Sequence, residues 1–460
     1  MSCGPFQRTS GPWAFFRIEP LFLLLLLSCR THGKNDPKGG MTMTEFVTEV
    51  DWGKQAAEAP YPTIPKSEYD LRNRRARELM GERGIDAMIL FSPANVYYFT
   101  GFRDPCLMET HRWRYCAILP REGGTVLIVE NVFHNNARQT THVKDVRTWC
   151  RIKIWGLPTS FEQCLMGALR DLGVHRAALA WERGDGYALN VSLDELDSFR
   201  SALAGATHTA ADPVIWGCRM IKTEWEIALI RDLCDRATRC VRAGFEAIKP
   251  GATERDVQRA MWQKWMDEDM FDCPVTMSFV FFSSPSEQGI AGWRYVSPQA
   301  DRVLREGDTG FYDCGPTMKG YWTDFQRIFH IGEPSQRQRD LVKMTLDAYQ
   351  LTISNIRPGM RACDVWDLAH RAIIKQEWMQ NEPIDFVGHG IGLGNHEYPW
   401  LSDDDFTVIQ PGMVLCVEMG CYDIPALKEL GYMIEDIYLV RDNGLELLTG
   451  GMPQDMWVVK

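Results

Sequence analysis

At 460 residues, 45% of them hydrophobic and 24% charged, the chain has the composition of a globular protein too long for one core, and two domains are expected. Its formal net charge of −11, with no block of Lys or Arg and no aromatic-basic stripe, argues against a nucleic-acid partner. Fourteen cysteines without a CxxC pair or a regular framework, many inside apolar runs, read as reduced, buried small hydrophobes rather than disulfide staples or zinc thiolates.

Residues 1–65 are expected to be a leader or a disordered extension. Leu21 to Leu27 is a seven-residue apolar run between Arg17 and Ser28-Cys29, similar to a minimal secretory signal but too short to span a bilayer. Glu19-Pro20 directly ahead of it, and Met41 and Met43 as later start positions, weigh against a working signal. A cytoplasmic protein without a membrane span is expected, with secretion through residues 1–40 as the alternative.

Regular structure is expected from residue 66. Residues 67–83 carry Tyr69, Leu71, Leu79 and Met80 among charges, as an amphipathic helix does, and Gly84 ends it. Ala87 to Phe91 reads as a buried strand, followed by a Ser-Pro-Ala-Asn turn and the apolar run Val96 to Phe102. Further strand-like runs at 115–119 and 125–129, then a helix and strand over 160–181, make residues 66–215 an α/β domain. No catalytic cluster is visible there: Tyr97, Tyr98, His111 and Trp113 read as core or domain-contact residues.

A boundary falls near residues 210–222, and residues 220–460 form the second domain. Its first helix lines up Ile227, Ile230, Leu233, Ala237, Val241, Phe245 and Ile248 on one face, and Thr223 with Glu226 has the spacing of a capping box. Ile248-Lys-Pro-Gly-Ala-Thr-Glu-Arg-Asp-Val257 returns as Ile356-Arg-Pro-Gly-Met-Arg-Ala-Cys-Asp-Val365, each opening a new helix. At nearly the same offset Asp313 is echoed by Glu418 and Asp324 by Glu435, which points to a duplicated helix-helix-sheet unit folded about a pseudo-twofold.

Five ionisable groups stand in apolar, strand-like contexts: Asp313 in Phe-Tyr-Asp-Cys-Gly, Asp324 in Tyr-Trp-Thr-Asp-Phe-Gln-Arg, His389 in Val-Gly-His-Gly-Ile-Gly-Leu, Glu418 in Val-Leu-Cys-Val-Glu-Met-Gly and Glu435 in Tyr-Met-Ile-Glu-Asp-Ile. A lone carboxylate among apolar neighbours is costly to bury unless paired or metal-bound, so the set demands one shared counter-charge. A pair of divalent metal ions is the natural candidate. Asp313 and Asp324 flank the turn Gly315 to Gly320, so adjacent antiparallel strands with both side chains on one face are expected. Carboxylates that bridge two ions hold them about 3.5–4 Å apart, where a shared water becomes a nucleophile near neutral pH. Oxygen-dominated coordination with one imidazole suits Mn, Fe, Co or Zn better than a structural thiolate zinc. Any one of the five reads equally well as a hydrogen-bonded structural group; five together do not.

The order Asp313, Asp324 eleven residues later, His389 with Gly392-Leu393 and then His396, Glu418, and Glu435-Asp436 resembles the pita-bread metallohydrolases: aminopeptidase P, prolidase, methionine aminopeptidase and the related creatinase. Asn95-Val-Tyr-Tyr-Phe-Thr-Gly-Phe102 is similar to the creatinase/prolidase-type first domain of that family. The resemblance covers residues 66–450. It implies an α/β creatinase-like N-terminal domain, an α+β pita-bread catalytic domain with an internal pseudo-twofold, and a homodimer. It also implies a dinuclear-metal hydrolase of amide or peptide bonds, most like an Xaa-Pro aminopeptidase or dipeptidase acting on small peptides. By the same resemblance Asp313, Asp324, His389, Glu418 and Glu435 hold two divalent ions, Mn first, then Fe, Co or Zn. His396 would hydrogen-bond the substrate carbonyl or developing oxyanion, and Glu418 would double as the group that moves a proton from water to the leaving amine.

Two positions depart from the family pattern. Its peptidases usually carry a His-Tyr pair ahead of the first metal aspartate, where this chain has Trp293-Arg294-Tyr295. Trp293 and Arg294 are therefore candidate substrate contacts, with Arg294 suited to a substrate carboxylate or to the metal carboxylates. They also usually carry arginine two positions before the last glutamate, where Met433 stands. The bacterial dimethylsulfoniopropionate lyase of this fold likewise lacks that histidine and has a tryptophan nearby, so a metal-dependent lyase acting on a small carboxylate is the second reading. It ranks second because that enzyme has an aspartate base where this chain has Asn395. A non-catalytic binding member and a metal-free creatinase-like hydrolase are disfavoured, since all five ligands are kept.

Overall fold

The computed structural model describes residues 64–104, 113–153, 156–270, 280–284, 301–313, 315–374, 385–420, 423–424, 429–430 and 432–460. Residues 1–63 of the expected leader, His111, Trp293 and Arg294 lie outside them.

In the first domain helices cover both faces of a six-stranded mixed sheet. Its strands are β1 (Ala87–Leu90), β2 (Cys116–Pro120), β3 (Val126–Glu130), β4 (Asp145–Trp149), β5 (Ala178–Trp181) and β6 (Thr207–Ala210), in the order β4-β3-β2-β1-β5-β6. The β1–β2 and β2–β3 pairs are antiparallel, the others parallel. Side chains of β1 alternate between two cores: Met88 and Leu90 pack with Met80, Phe99 and Val214, Ala87 and Ile89 with Phe161, Leu165 and Leu196. With both faces covered, the strand is apolar at every position.

One local expectation is corrected. The turn at Ser92–Asn95 and the run from Val96 are a single helix, Pro93–Thr100. Pro93 is preset for the first turn, and Gly101, at φ +78°, ends the helix by donating its N–H to Tyr97 O. Apolar runs this short do not by themselves distinguish strand from helix. At the other end of the domain, helix Asp212–Arg219 carries Val214, Ile215 and Cys218 into the first core.

The second domain begins with helix Glu224–Ala247, whose expected apolar face is buried and whose Thr223–Glu226 capping box is formed. Two helices, Glu224–Ala247 and Glu254–Asp267, precede antiparallel strands β7 (Val280–Ser284), β8 (Thr309–Asp313) and β11 (Arg327–Ile331). Two more, Gln336–Ile353 and Ala362–Ile373, precede antiparallel β12 (Phe386–Gly390), β14 (Val414–Gly420) and β17 (Met433–Arg441). The repeated peptide behaves alike in both halves: Gly251 and Gly359 have φ of +89° and +93°, and Asp256 and Asp364 accept the N–H of Thr253 and Arg361 at 3.0 and 2.9 Å. The pseudo-twofold thus relates matching parts. The half-sheets meet where Gln326 N–H donates to Glu435 O at 3.2 Å.

The remaining strands are a small hairpin of β9 (Thr317–Met318) and β10 (Tyr321–Trp322), the outer strand β13 (Glu397–Ser402), the short pair β15 (Asp423–Ile424) and β16 (Glu429–Leu430), and the edges β18 (Gly444–Leu447) and β19 (Trp457–Val459). Of the fourteen cysteines, eight lie among the described residues, all free and seven of them buried, as expected. No helix among the described residues is long and apolar enough to cross a membrane.

Candidate active site

Glu418 of β14 pairs directly opposite Glu435 of β17, and His389 of β12 pairs opposite Cys416, two residues before Glu418. The pleat therefore turns His389, Cys416, Glu418 and Glu435 to one face of the sheet. Asp313 closes β8. Asp324 departs from expectation: it lies on no strand, because the tight β9–β10 hairpin fills the link from β8 and the chain then crosses to the seam at Gln326.

All five side chains are buried and converge. His389 Nε2 lies 3.8 Å from an oxygen of Asp324, 3.8 Å from Glu418 and 3.6 Å from Glu435. Asp313, Asp324 and Glu435 each offer an oxygen within 4.8 Å of the others, as do the ligand atoms of Asp324, His389 and His396, and of His389, Cys416 and Glu435. Asp324 Oδ1, His389 Nε2 and Glu435 Oε1 are buried without a hydrogen-bond partner. Buried polar atoms are nearly always paired, so three such atoms in one basin fit a cation that all of them face.

The electrostatics agree. Burial, and then the mutual charges of the acids, push Asp324, Glu418 and Glu435 well above the usual carboxylate range. Burial lowers His389 to about 4, leaving a neutral imidazole, the form that binds metals. Burial also raises the Cys416 thiol, which stays protonated beneath the cluster.

His396 stands at the mouth, its ring 4.2 Å from that of His389 and stacked on Trp400 at 5.7 Å. Burial and His389 lower it to about 4. Its neighbour Glu397 is buried and anchored across the domain boundary by Arg219, which donates to it; within its own domain Lys222 lies 3.6 Å away and Gly394 N–H donates at 2.6 Å. Arg219 also donates to Asn95 at 2.7 Å, and Asn95 to Glu182 at 2.6 Å. The first domain holds the hairpin too, through Tyr97 OH to Lys319 O at 3.1 Å and Arg72 to Tyr321 OH at 2.9 Å. Trp322 N–H closes onto Gly392 O at 2.8 Å, tying the hairpin to the His396 loop.

Sequence reasoning missed several members of this site. Asn395, noted only as a departure from the lyase, donates to Asp324 Oδ2 at 2.8 Å. Arg327, buried behind Glu435, donates to its carbonyl at 2.9 Å and to Asp436 at 2.5 Å. This arginine is a buried cation beside the last glutamate, where Met433 opens β17 opposite Gly420. The charged Arg327 so close to Asp324 in an apolar run was the signal available; Arg219 and Lys222, lying in the apparent linker, offered none.

Residues 72–221 match the creatinase/prolidase N-terminal domain, and residues 228–442 match metallopeptidase family M24. The chain belongs to that family, in its creatinase/prolidase-like, pita-bread branch. As an M24 member it is a peptidase, and the family implies divalent metal ions. The Xaa-Pro dipeptidase of Pyrococcus furiosus is 27% identical over 377 residues, covering 81% of this chain and 95% of the relative. The solved prolidase from Pyrococcus furiosus superimposes with a TM-score of 0.63 at 25% identity, over 82% of this chain and all of that one. The X-Pro aminopeptidase from Thermotoga maritima, at 23% identity, has the same fold: its TM-score is 0.70 over 84% of this chain and 99% of its own.

Proposed function

We propose that this M24 peptidase cleaves the bond ahead of proline in small peptides, using two divalent ions, Mn first and Fe, Co or Zn as alternatives, held by Asp313, Asp324, His389, Glu418 and Glu435. The observation that carries the reading is the basin of buried, mutually repelling acids in which Asp324 Oδ1, His389 Nε2 and Glu435 Oε1 have no hydrogen-bond partner. The Xaa-Pro specificities of the relatives support the substrate class.

Bound divalent ions would supply Lewis acidity and an activated water nucleophile. The chain's own groups do the rest. Glu418, held across from Glu435, takes the proton of the attacking water and delivers it to the departing amine. Neutral His396, stacked on Trp400, donates to the carbonyl oxygen as negative charge develops there. Trp293 and Arg294 are proposed substrate contacts, Arg294 for the peptide carboxylate. The cytoplasmic location and the homodimer stand as proposals as well, tested by cell fractionation and light scattering.

The test is a panel of Xaa-Pro and non-proline dipeptides and tripeptides, with dimethylsulfoniopropionate run in parallel, after chelation and reconstitution with each metal. Cleavage confined to the proline peptides and restored by about two ions per chain is expected. Release of dimethyl sulfide without peptide cleavage would overturn the substrate class, and full turnover in rigorously metal-free protein would overturn the mechanism.

A further inference from the structure

Asn395 sits between the two parts of the site that the proposed function separates, the acidic basin and the histidine at its mouth. Its Nδ2 donates to Asp324 Oδ2 at 2.8 Å and lies 3.5 Å from His396 Nδ1. The amide orientation is the one that a metal-loaded site needs, since a carboxylate facing a cation is ionised and only accepts, so the NH₂ end must face it. An amide nitrogen carries two hydrogens, and a donor beside His396 Nδ1 is matched only when that nitrogen is the acceptor. The ring proton then resides on Nε2. The contact at 3.5 Å is at the outer limit for a hydrogen bond, and such bonds in substrate-free sites shorten when the site fills.

The loop is built to keep Asn395 there. Gly392 O accepts from Trp322 N–H at 2.8 Å on one side, and Glu397 accepts from Gly394 N–H at 2.6 Å on the other. One amide thus reaches a group from the β10–β11 link and a group from its own loop.

We propose that Asn395 is a positioning residue with two tasks, resting on the metal and His396 roles proposed above. It secures Oδ2 of Asp324, the oxygen 3.8 Å from His389 Nε2, and so fixes that carboxylate among the proposed ligands, and it selects the Nε2–H tautomer of His396 as the donor to the substrate carbonyl. A group of the same size lacking N–H donors performs neither task.

Asn395→Asp retains the shape and removes the donors; Asn395→Ala removes both. The full-length protein is titrated with Mn(II) by calorimetry, Co(II)-loaded protein is examined by visible absorption, and the His396 tautomer is read by long-range ¹H–¹⁵N NMR, alongside kcat and KM. Both variants are expected to bind the metal about 10- to 100-fold more weakly, with an altered Co(II) spectrum. They are also expected to shift His396 towards a mixture of tautomers and to lower kcat more than they raise KM. Asn395→Asp matching the wild type in affinity and tautomer would overturn the proposal, because only packing would then matter. Wild-type protein that binds no divalent ion would overturn the metal reading itself and this one with it. Wild-type metal binding with unaffected variants would overturn this one alone.

Discussion

A buried acid crowded by other acids can lower its energy by taking up a proton or by facing a cation. Asp324, Glu418 and Glu435 are raised well above their ordinary pKa, so the metal-free folded state holds protons that the unfolded chain releases, and its stability falls as pH rises past the ordinary carboxylate range. His389 and His396 act in the opposite sense: lowered from 6.5 to about 4, they stay neutral while the unfolded chain takes up protons, so their contribution is lost as pH falls between those values. Of these five groups, only the carboxylates remain in play above pH 6.5. Chelated protein is therefore expected to melt lower at pH 8 than at pH 6.5, and the melting-temperature gain on adding Mn(II) to be larger at pH 8, as scanning fluorimetry would measure. A gain independent of pH would contradict the electrostatic account. Glu418→Gln is expected to lower kcat by about 10²- to 10⁴-fold, the usual contribution of a general base, in steady-state assays. These acids were legible in the sequence because a carboxylate in an apolar run is an anomaly that needs a cause. Asn395 was not, because an amide in a glycine loop becomes informative only when the fold brings a partner to it, whereas Arg327, a charge in an apolar run, carried a signal that went unread.

The strands that carry the ligands lie so close that some positions admit no side chain. Gly388, just before His389, has φ +144°, and a Cβ there would lie 2.1 Å from the carbonyl oxygen of Cys416 on β14. Gly388→Ala must separate β12 from β14 and is expected to cost about 1–3 kcal/mol in denaturant unfolding, with weaker metal binding by calorimetry. Restored stability without restored binding in a second-site suppressor would locate the defect at His389. Element types were readable wherever a period was clear, as in the helix that buries Ile227, Ile230 and Leu233. They were misread where Val96–Phe102 offered only apolarity, and Asp324 was misassigned to a strand because the turn read at Gly315–Gly320 was taken to join two ligand strands, whereas it belongs to a hairpin of its own, β9–β10.

Across the whole molecule the first domain carries none of the proposed metal ligands yet holds both loops that line the mouth of the site. From it Arg219 meets Glu397, while Arg72 and Tyr97 meet the hairpin. Arg219→Ala leaves Glu397 buried with its main counter-charge gone, and breaking such a pair costs about 3–5 kcal/mol. Chemical denaturation should register that loss, and kcat should fall while metal stoichiometry holds, since His396 moves and the basin does not. The division near residues 210–222 was visible as a break in pattern, but the ion pairs that span it were hidden, because contact across a boundary leaves no periodic trace. The hydrogen bond from Gln326 to Glu435 has a consequence for descent as much as for rigidity. The proposed metal basin draws on both of two similar halves, and either half alone brings only two of the four acids. A single-copy forebear could have assembled the same basin only by pairing with its twin, which makes covalent fusion of two such copies the economical route to this chain.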